Sequence, residues 1–178
     1  MNRNNGIKVI PSSRNEIQEI TFLKLRKKFG LEDCFSFPVV KFLEWGMPII
    51  DPDFNYEIVE NGIMGNVEGL TIPEINTIRI REDVYEAAMR DEGRARFTLA
   101  HEFGHYIMHK DQIYNGHTRT KEPLFDHEAY EDSEWQANTF AGVLLMPPPL
   151  IIGLSADEVM DKCKVSRSAA EYNLSKIE

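Results

Sequence analysis

Three of the five histidines in this chain recur at every fourth residue within the stretch TLAHEFGHYIMH, residues 98–109. His101 and His105 are four residues apart, so an α-helix places both imidazoles on one face, about 6 Å apart along its axis. That spacing lets the two side chains bind one tetrahedral zinc ion. Glu102 flanks this face without competing for the metal, which suits a base that takes a proton from the attacking water. The H-E-x-x-H pattern therefore predicts a hydrolytic metal centre.

The third histidine, His109, follows His101 by eight residues, about 12 Å along a straight helix. Ligand atoms of one zinc ion must lie within about 4 Å of one another, so we expect that His109 does not bind the same ion. Two roles stay open for it. It is either a partly protonated imidazole at the C-terminus of its helix, where the helix dipole favours positive charge, or a side chain that lines the substrate cleft. The first is the simpler interpretation.

A catalytic zinc site needs a third protein ligand and one open position. The segment EDSEWQANTFAGVLLMP, residues 131–147, offers carboxylates near the start of a predicted helix. Glu134 and Asn138 share a helix face there, so Glu134 could bind the metal while Asn138 holds a ligand histidine in one tautomer. Glu128 and Glu131 are alternative ligands. Glu134 could also be an exposed acidic residue that the helix dipole favours.

The length, net charge and cysteine content of the chain limit the classes of protein to which it can belong. A chain of 178 residues can bury its own core, and a formal net charge of −9 is unlike that of nucleic-acid-binding proteins. Cys34 and Cys163 form no C-x-x-C pair, which is typical of a reduced intracellular chain. The sequence has no signal peptide and no apolar run long enough to span a membrane. We therefore expect a cytoplasmic protein that binds neither membranes nor nucleic acid directly.

Capping residues and apolar periodicity predict both helices and strands. Ser13 and Glu16 form a capping box before a helix that ends at Gly30. A short helix over residues 37–46, FPVVKFLEWG, follows. Between residues 47 and 81, short stretches rich in Ile and Val instead predict two or three antiparallel strands.

The second half of the chain is mostly helical by the same criteria. We predict helices over residues 94–110, which carry the histidines, and over about 130–146, with a loop over 111–129 between them. Ser155 and Ser166 are the caps of a final helical pair. Residues 150–178 hold four basic and five acidic side chains, a balance that favours packing or partner docking over DNA binding.

Two motifs in the correct order resemble the ImmA/IrrE family of zinc metallopeptidases. RFTLAHEFGHYIMH, residues 96–109, is similar to that family's lead into H-E-x-G-H, and EWQANTFAGVLLMP, residues 134–147, to its downstream segment. The similarity extends from about residue 76 to residue 147. It implies that His101, His105 and Glu134 bind one Zn²⁺ ion and that Glu102 is the catalytic base. One departure is Gln136, which stands where the family often has a second acid.

The resemblance also implies a fold and a division of the chain. We expect an α+β fold, a minimal zincin-like domain with N-terminal helices, a small antiparallel sheet, an active-site helix and C-terminal helices. Residues 1–149 would form the metallopeptidase domain, and residues 150–178 a helical pair packed on it.

The implied activity is cleavage of a protein. Members of the family commonly cleave a helix-turn-helix repressor encoded nearby, which derepresses genes of a mobile element, a prophage or a stress response. We therefore expect a zinc endopeptidase whose partner is such a repressor. Two alternatives stay open: a module that binds a regulator without cutting it, and the toxin-like partner in a paired regulatory module.

Two further parts of the site are left open by the sequence. The strand NTIRIR, residues 76–81, is expected to form the edge of the cleft and to pair with an extended substrate. Stabilisation of the oxyanion requires a Tyr or His donor. Spacing does not select among the candidates, which are Tyr106, Tyr114, His117, His127 and Tyr130.

Overall fold

The computed structural model describes residues 6–114 and 127–177 of the chain, apart from the side chains of Ile113 and Tyr114. It combines helices with a three-stranded sheet, which confirms the α+β class. Among the described helices, none is both long and apolar enough to cross a membrane. The helices are α1 (Arg14–Glu19), α2 (Val39–Lys41), α3 (Met47–Ile50), α4 (Asn61–Met64), α5 (Glu82–Met89), α6 (Gly93–Tyr114), α7 (Ser133–Leu145), α8 (Pro148–Ile151), α9 (Ala156–Cys163) and α10 (Arg167–Leu174).

The sheet consists of β1 (Asn55–Val59), β2 (Gly69–Ile72) and β3 (Thr77–Arg81), in the spatial order β1-β3-β2. β3 runs parallel to β1 and antiparallel to β2. The prediction of a wholly antiparallel sheet is therefore wrong for one strand pair. The reason is that β1 leads into α4 rather than into a hairpin turn, so β2 occupies the far edge and β3 enters between the two.

This strand order also corrects the expected edge of the cleft. β3 is hydrogen-bonded on both sides, so residues 77–81 have no free edge on which a substrate could pair. Its inward side chains Ile78 and Ile80 are fully buried in the core. The two edge strands of the described sheet are β1 and β2, and of these β2 packs closely beside α6.

The helix caps predicted from the sequence are present in the structure. The capping box of Ser13 and Glu16 is present, and Gly30 ends the first helical stretch in the left-handed conformation with φ 66°. Ser155 and Ser166 cap α9 and α10 as predicted.

Two helix ends lie further along the chain than the sequence indicated. The second helical stretch continues past residue 46 through α3, and α6 continues to Tyr114 instead of ending near residue 110. Of the predicted loop over 111–129, residues 115–126 lie outside the described residues. Turns of π-helix and 3-10 helix extend the regular helices over Ile20–Arg26, Lys27–Phe29, Phe42–Gly46 and Ala129–Glu131.

The core forms where α6 crosses α7. Leu99 and Phe103 of α6 and Phe140 and Leu144 of α7 are fully buried there. The C-terminal pair packs on the same helix, because a Cβ at Gly142 of α7 would lie 2.7 Å from the Asn173 side chain of α10. The division of the chain at residue 149 stays a prediction.

A fully buried arginine joins the N-terminal helices to the end of α7. Arg26 Nε and Nη2 donate to the Leu144 carbonyl at 2.9 and 2.7 Å, and Nη1 donates to the carbonyls of Leu31 and Cys34. Burial lowers the pKa of Arg26 to about 10, so its guanidinium stays charged at neutral pH. Arg26 therefore supplies donors to the Leu144 carbonyl in the last turn of α7, which lacks the N–H of a following helical turn.

This role predicts a large loss of stability in Arg26→Met. The substitution keeps an apolar side chain of similar length but removes every donor, so we expect the free energy of unfolding to fall by about 3 kcal/mol. Urea denaturation followed by circular dichroism measures the change. Lys27→Met, at the exposed neighbouring position, is the control and should change stability by less than about 0.5 kcal/mol. Equal effects of the two substitutions would contradict the role of Arg26.

Candidate metal centre

Three side chains from two helices converge at the edge of the sheet. The Nε2 atoms of His101 and His105 on α6 lie 3.0 Å apart. Glu134 of α7 places Oε2 3.3 Å from His101 Nε2 and Oε1 3.1 Å from His105 Nε2. One ligand atom from each residue lies within 4.8 Å of the other two. Within the described part of the chain, this group of His, Cys, Asp and Glu side chains is the one placed to hold a metal ion.

The start of α7 decides which carboxylate joins the group. Asp132 caps this helix through its side chain, which puts Glu134 in the first turn, opposite the histidines. The alternatives Glu128 and Glu131 lie on the 3-10 turn before the cap, and neither belongs to the group. Glu131 forms an ion pair with Lys8 at 3.3 Å instead.

Asn138 holds the imidazole of His101 from behind. Its Oδ1 lies 3.1 Å from His101 Nδ1. Because an amide oxygen only accepts hydrogen bonds, the neutral imidazole carries its proton on Nδ1 and leaves the lone pair of Nε2 towards the group. Burial opposes protonation of His101, but hydrogen bonding to Glu134 and the nearby Glu102 carboxylate outweigh it and raise its pKa.

A second hydrogen-bonded series orients His105. Gln136 Nε2 donates to the carbonyls of Ile10 and Tyr130 at 2.8 and 2.7 Å, so its Oε1 is the atom that faces His109 Nε2, at 3.0 Å. His109 therefore carries its proton on Nε2 and accepts at Nδ1 from His105 Nδ1, 3.1 Å away. This leaves the Nε2 lone pair of His105 directed at Glu134 and His101.

The structure corrects the role expected for His109. The residue is fully buried, and burial lowers its pKa to about 4, so the imidazole is neutral rather than partly protonated. It also lies inside α6 and not at its C-terminus, because that helix continues to Tyr114. His109 is outside the group of candidate ligands and outside the cleft, and it contacts His105 from the protein interior.

Glu102 shares a cleft of about 360 Å³ with the three candidate ligands. The hydroxyl of Thr71 on β2 lies 2.7 Å from Glu102 Oε2 and holds the carboxylate beside the sheet. Gly69, two residues earlier on β2, leaves no space for a side chain, since a Cβ there would lie 2.7 Å from Glu102 Cγ. β2 therefore fixes the position of Glu102.

The candidates for the oxyanion donor lie in different parts of the structure. Tyr106 donates from its hydroxyl to Asp51 at 2.7 Å and packs edge-on against Phe54, on the side of α6 that faces the N-terminal helices. It therefore does not line the cleft. His127 contacts Asp132 at 2.9 Å. Tyr130 is half-exposed, and the side chain of Tyr114 and all of His117 lie outside the described residues.

Three residues that matter to the site were not assigned a role from the sequence. Gly69 and Thr71 lie in a strand whose pairing partner could not be deduced, and their only signal was a small residue and a hydroxyl in a predicted strand. Gln136 could be noted as a departure from the family pattern, but sequence spacing does not indicate its two carbonyl partners, Ile10 and Tyr130.

The donor set and its geometry fit a divalent metal ion. Two imidazole nitrogens and a carboxylate face one another at about 3 Å, and a metal ion stabilises this arrangement when it takes the place of the imidazole protons. The pKa of Glu134 is held far below its usual range by its hydrogen bonds to the two histidines. The carboxylate is therefore ionised and ready to act as a ligand.

Comparison with known proteins identifies the family of this chain. Residues 72–177 match the model of the IrrE N-terminal-like domain, peptidase family M78. The chain belongs to this family. The match covers more than half of the chain and includes all four of His101, Glu102, His105 and Glu134, so the resemblance predicted from the two motifs is confirmed. Membership in a metallopeptidase family implies a metal, which the group described above could bind.

One relative is similar over a shorter stretch. The radiation response metalloprotease IrrE of Deinococcus radiodurans is 35% identical over 127 residues, which cover 62% of this chain and 34% of that protein. The chain thus spans about a third of the length of this relative.

The orientation of His105 by His109 predicts a specific loss of metal affinity. In His109→Phe the ring fills the same space but cannot accept the proton of His105 Nδ1, so the imidazole is free to change tautomer. We expect the affinity for added Zn²⁺ to fall by about 10–100-fold, measured by competition with a fluorescent chelator.

The matched variant His109→Gln offers an amide oxygen in the same region and should recover most of the affinity. Wild-type affinity in His109→Phe would contradict the relay. A loss of the same size in both variants would show that His109 contributes only packing.

Proposed function

We propose that this chain is a zinc-dependent endopeptidase that cleaves a helix-turn-helix transcriptional repressor in the cytoplasm. The observation that carries the proposal is the convergence of His101, His105 and Glu134 in the same cleft as Glu102. Two histidines and a glutamate are the ligands of a class of catalytic zinc sites in proteases, in which a fourth position stays open. A structural zinc site would instead be closed by four protein ligands.

The residues around the cleft have separate roles in hydrolysis. Zinc, when bound, supplies a Lewis acid that polarises the scissile carbonyl and lowers the pKa of water. Glu102 acts as the general base, accepting a proton from the attacking water and passing it to the leaving amine. Thr71 and Gly69 keep its carboxylate in one position, because the first holds it and the second allows the strand to approach closely.

β2 provides the site at which an extended substrate is bound. Gly69, Leu70 and Thr71 line the cleft, and this strand has a free edge in the described structure. A peptide can therefore add to the sheet through main-chain hydrogen bonds and lie across the candidate metal centre. Such pairing depends little on sequence, so the choice of substrate must come from other contacts.

A repressor is the substrate class that the family resemblance supports. The similar protein from Deinococcus radiodurans is named a radiation response metalloprotease, which associates proteolysis with the response to radiation in that relative. Cleavage of a repressor by this chain would convert a signal into derepression of stress, prophage or mobile-element genes.

Co-expression of this chain with a candidate helix-turn-helix regulator from the same genome tests the proposal. We expect fragments of the regulator in its intact mass spectrum with the wild type and none with Glu102→Gln. Loss of a general base slows hydrolysis by about 10²–10⁴-fold. Glu102→Gln retains the size of the side chain and all three candidate ligands, so its zinc content should equal that of the wild type.

A different pattern would contradict the peptidase assignment. If the regulator stays intact with both forms and copurifies with both, the chain is a binding module that sequesters the regulator without cutting it.

A further inference from the structure

A second concave region lies beside the cleft and is not explained by the residues discussed so far. It is an open groove of about 730 Å³ between the first turns of α6, the outer face of α7, and α10. Its volume is about twice the 360 Å³ of the cleft over the candidate metal centre and is typical of sites that bind a ligand larger than one side chain. We refer to it as the α10 groove.

The α10 groove adjoins the metal centre. Asn138 lines it and also contacts His101 Nδ1 at 3.1 Å. Thr98 lines it one helical turn before His101, and its hydroxyl lies 3.4 Å from Glu68, the residue that precedes β2. A peptide bound along β2 and over the metal centre can therefore continue into the groove without leaving the protein surface.

The walls of the α10 groove are largely aromatic. Phe97 of α6, Trp135 of α7 and Tyr172 of α10 line it, and each keeps part of its ring exposed to solvent. Aromatic side chains left open in a concave region favour burial of an apolar group, and tyrosine and tryptophan add a polar edge. Ala169 on α10 leaves room between them.

The same groove contains a positive charge without a carboxylate partner. Arg14 lines it, and its Nη2 donates to the neutral Asn173 side chain at 3.1 Å. Among the described residues Arg14 forms no ion pair, although acidic residues outnumber basic ones by 29 to 20 in the chain. Arg94, by contrast, pairs with Glu68 at 2.8 Å. An anionic group in the groove would give Arg14 the partner that the protein does not supply.

We propose that the α10 groove is a substrate subsite that binds a large apolar side chain of the peptide together with a neighbouring carboxylate. This inference rests on the proposed peptidase function and names the substrate class that the site selects. It also gives the C-terminal helical pair a role. Its helix α10 forms one wall of the subsite, so residues beyond the metal centre determine which peptides are cut.

Peptide hydroxamates test the subsite without requiring cleavage, because the hydroxamate anchors the probe on zinc. Two series of probes are made, one for each side of the metal. Each series compares Phe-Glu, Ala-Glu and Phe-Lys in the two peptide positions next to the hydroxamate. Binding to the zinc-loaded chain is measured by calorimetry. In one series we expect Phe-Glu to bind at least about tenfold more tightly than each of the other two, from burial of the ring and from the charge-assisted hydrogen bond to Arg14.

Two variants assign the preference to the groove. Ala169→Trp fills it and should remove the advantage of Phe over Ala, whereas Met160→Trp adds the same side chain on α9, outside the groove, and should not. Arg14→Gln should remove only the advantage of Glu over Lys, with Arg90→Gln at a surface ion pair as the control. The two variants act independently, so misfolding of one leaves the other as a test.

The outcomes separate the inference from the function on which it rests. If no hydroxamate binds the zinc-loaded chain, the metal centre and the proposed function fail together with the subsite. If all three probes bind equally tightly in both series, or if Ala169→Trp and Arg14→Gln leave the preferences unchanged, the subsite is wrong while the peptidase proposal stands.

Discussion

The close approach of α6 and α7 is the constraint on which the site depends. Gly104, between the two candidate ligand histidines, faces the second helix so closely that a Cβ there would lie 3.0 Å from the Phe140 ring and 3.2 Å from Ala137 Cα. Helices separated by a larger side chain would move Glu134 away from the histidines, whose nitrogens lie within 3.3 Å of its carboxylate. The packing of one glycine against one aromatic ring thus sets the size of the metal centre.

On the interior side of this contact, buried polar side chains are joined by hydrogen bonds into chains that end at the two histidines. The two histidines are held by different partners, His101 by Asn138 and His105 by the pair of His109 and Gln136. The second series ends at main-chain carbonyls of the N-terminal segment and of the turn before α7. The orientation of His105 therefore depends on the segment around Ile10, which is about 95 residues away in the chain, and folding of that segment is part of assembling the site.

Much of the site could be predicted from local spacing, because a helix converts four-residue intervals into a shared face. His101 and His105 follow from that rule, as does the shared face of Glu134 and Asn138, whereas the choice of Glu134 over Glu128 and Glu131 was implied by the family resemblance. What failed depended on tertiary contacts. His109 was interpreted from an expected helix end, but burial keeps its imidazole neutral, and the helix continues beyond it. The parallel pairing of β1 with β3, and hence the central position of β3 with β2 at the edge beside α6, could not be deduced from strands whose connection folds as a short helix.

The most direct test of the metal centre is X-ray absorption at the zinc K-edge on the full chain loaded with zinc. We expect one zinc ion per chain, with nitrogen and oxygen ligands at about 2.0–2.2 Å, and loss of that ion in Glu134→Ala. A sulfur shell at about 2.3 Å would instead place the ion on a cysteine. That result, or zinc bound equally well by Glu134→Ala, would contradict the assignment of His101, His105 and Glu134 as the metal centre.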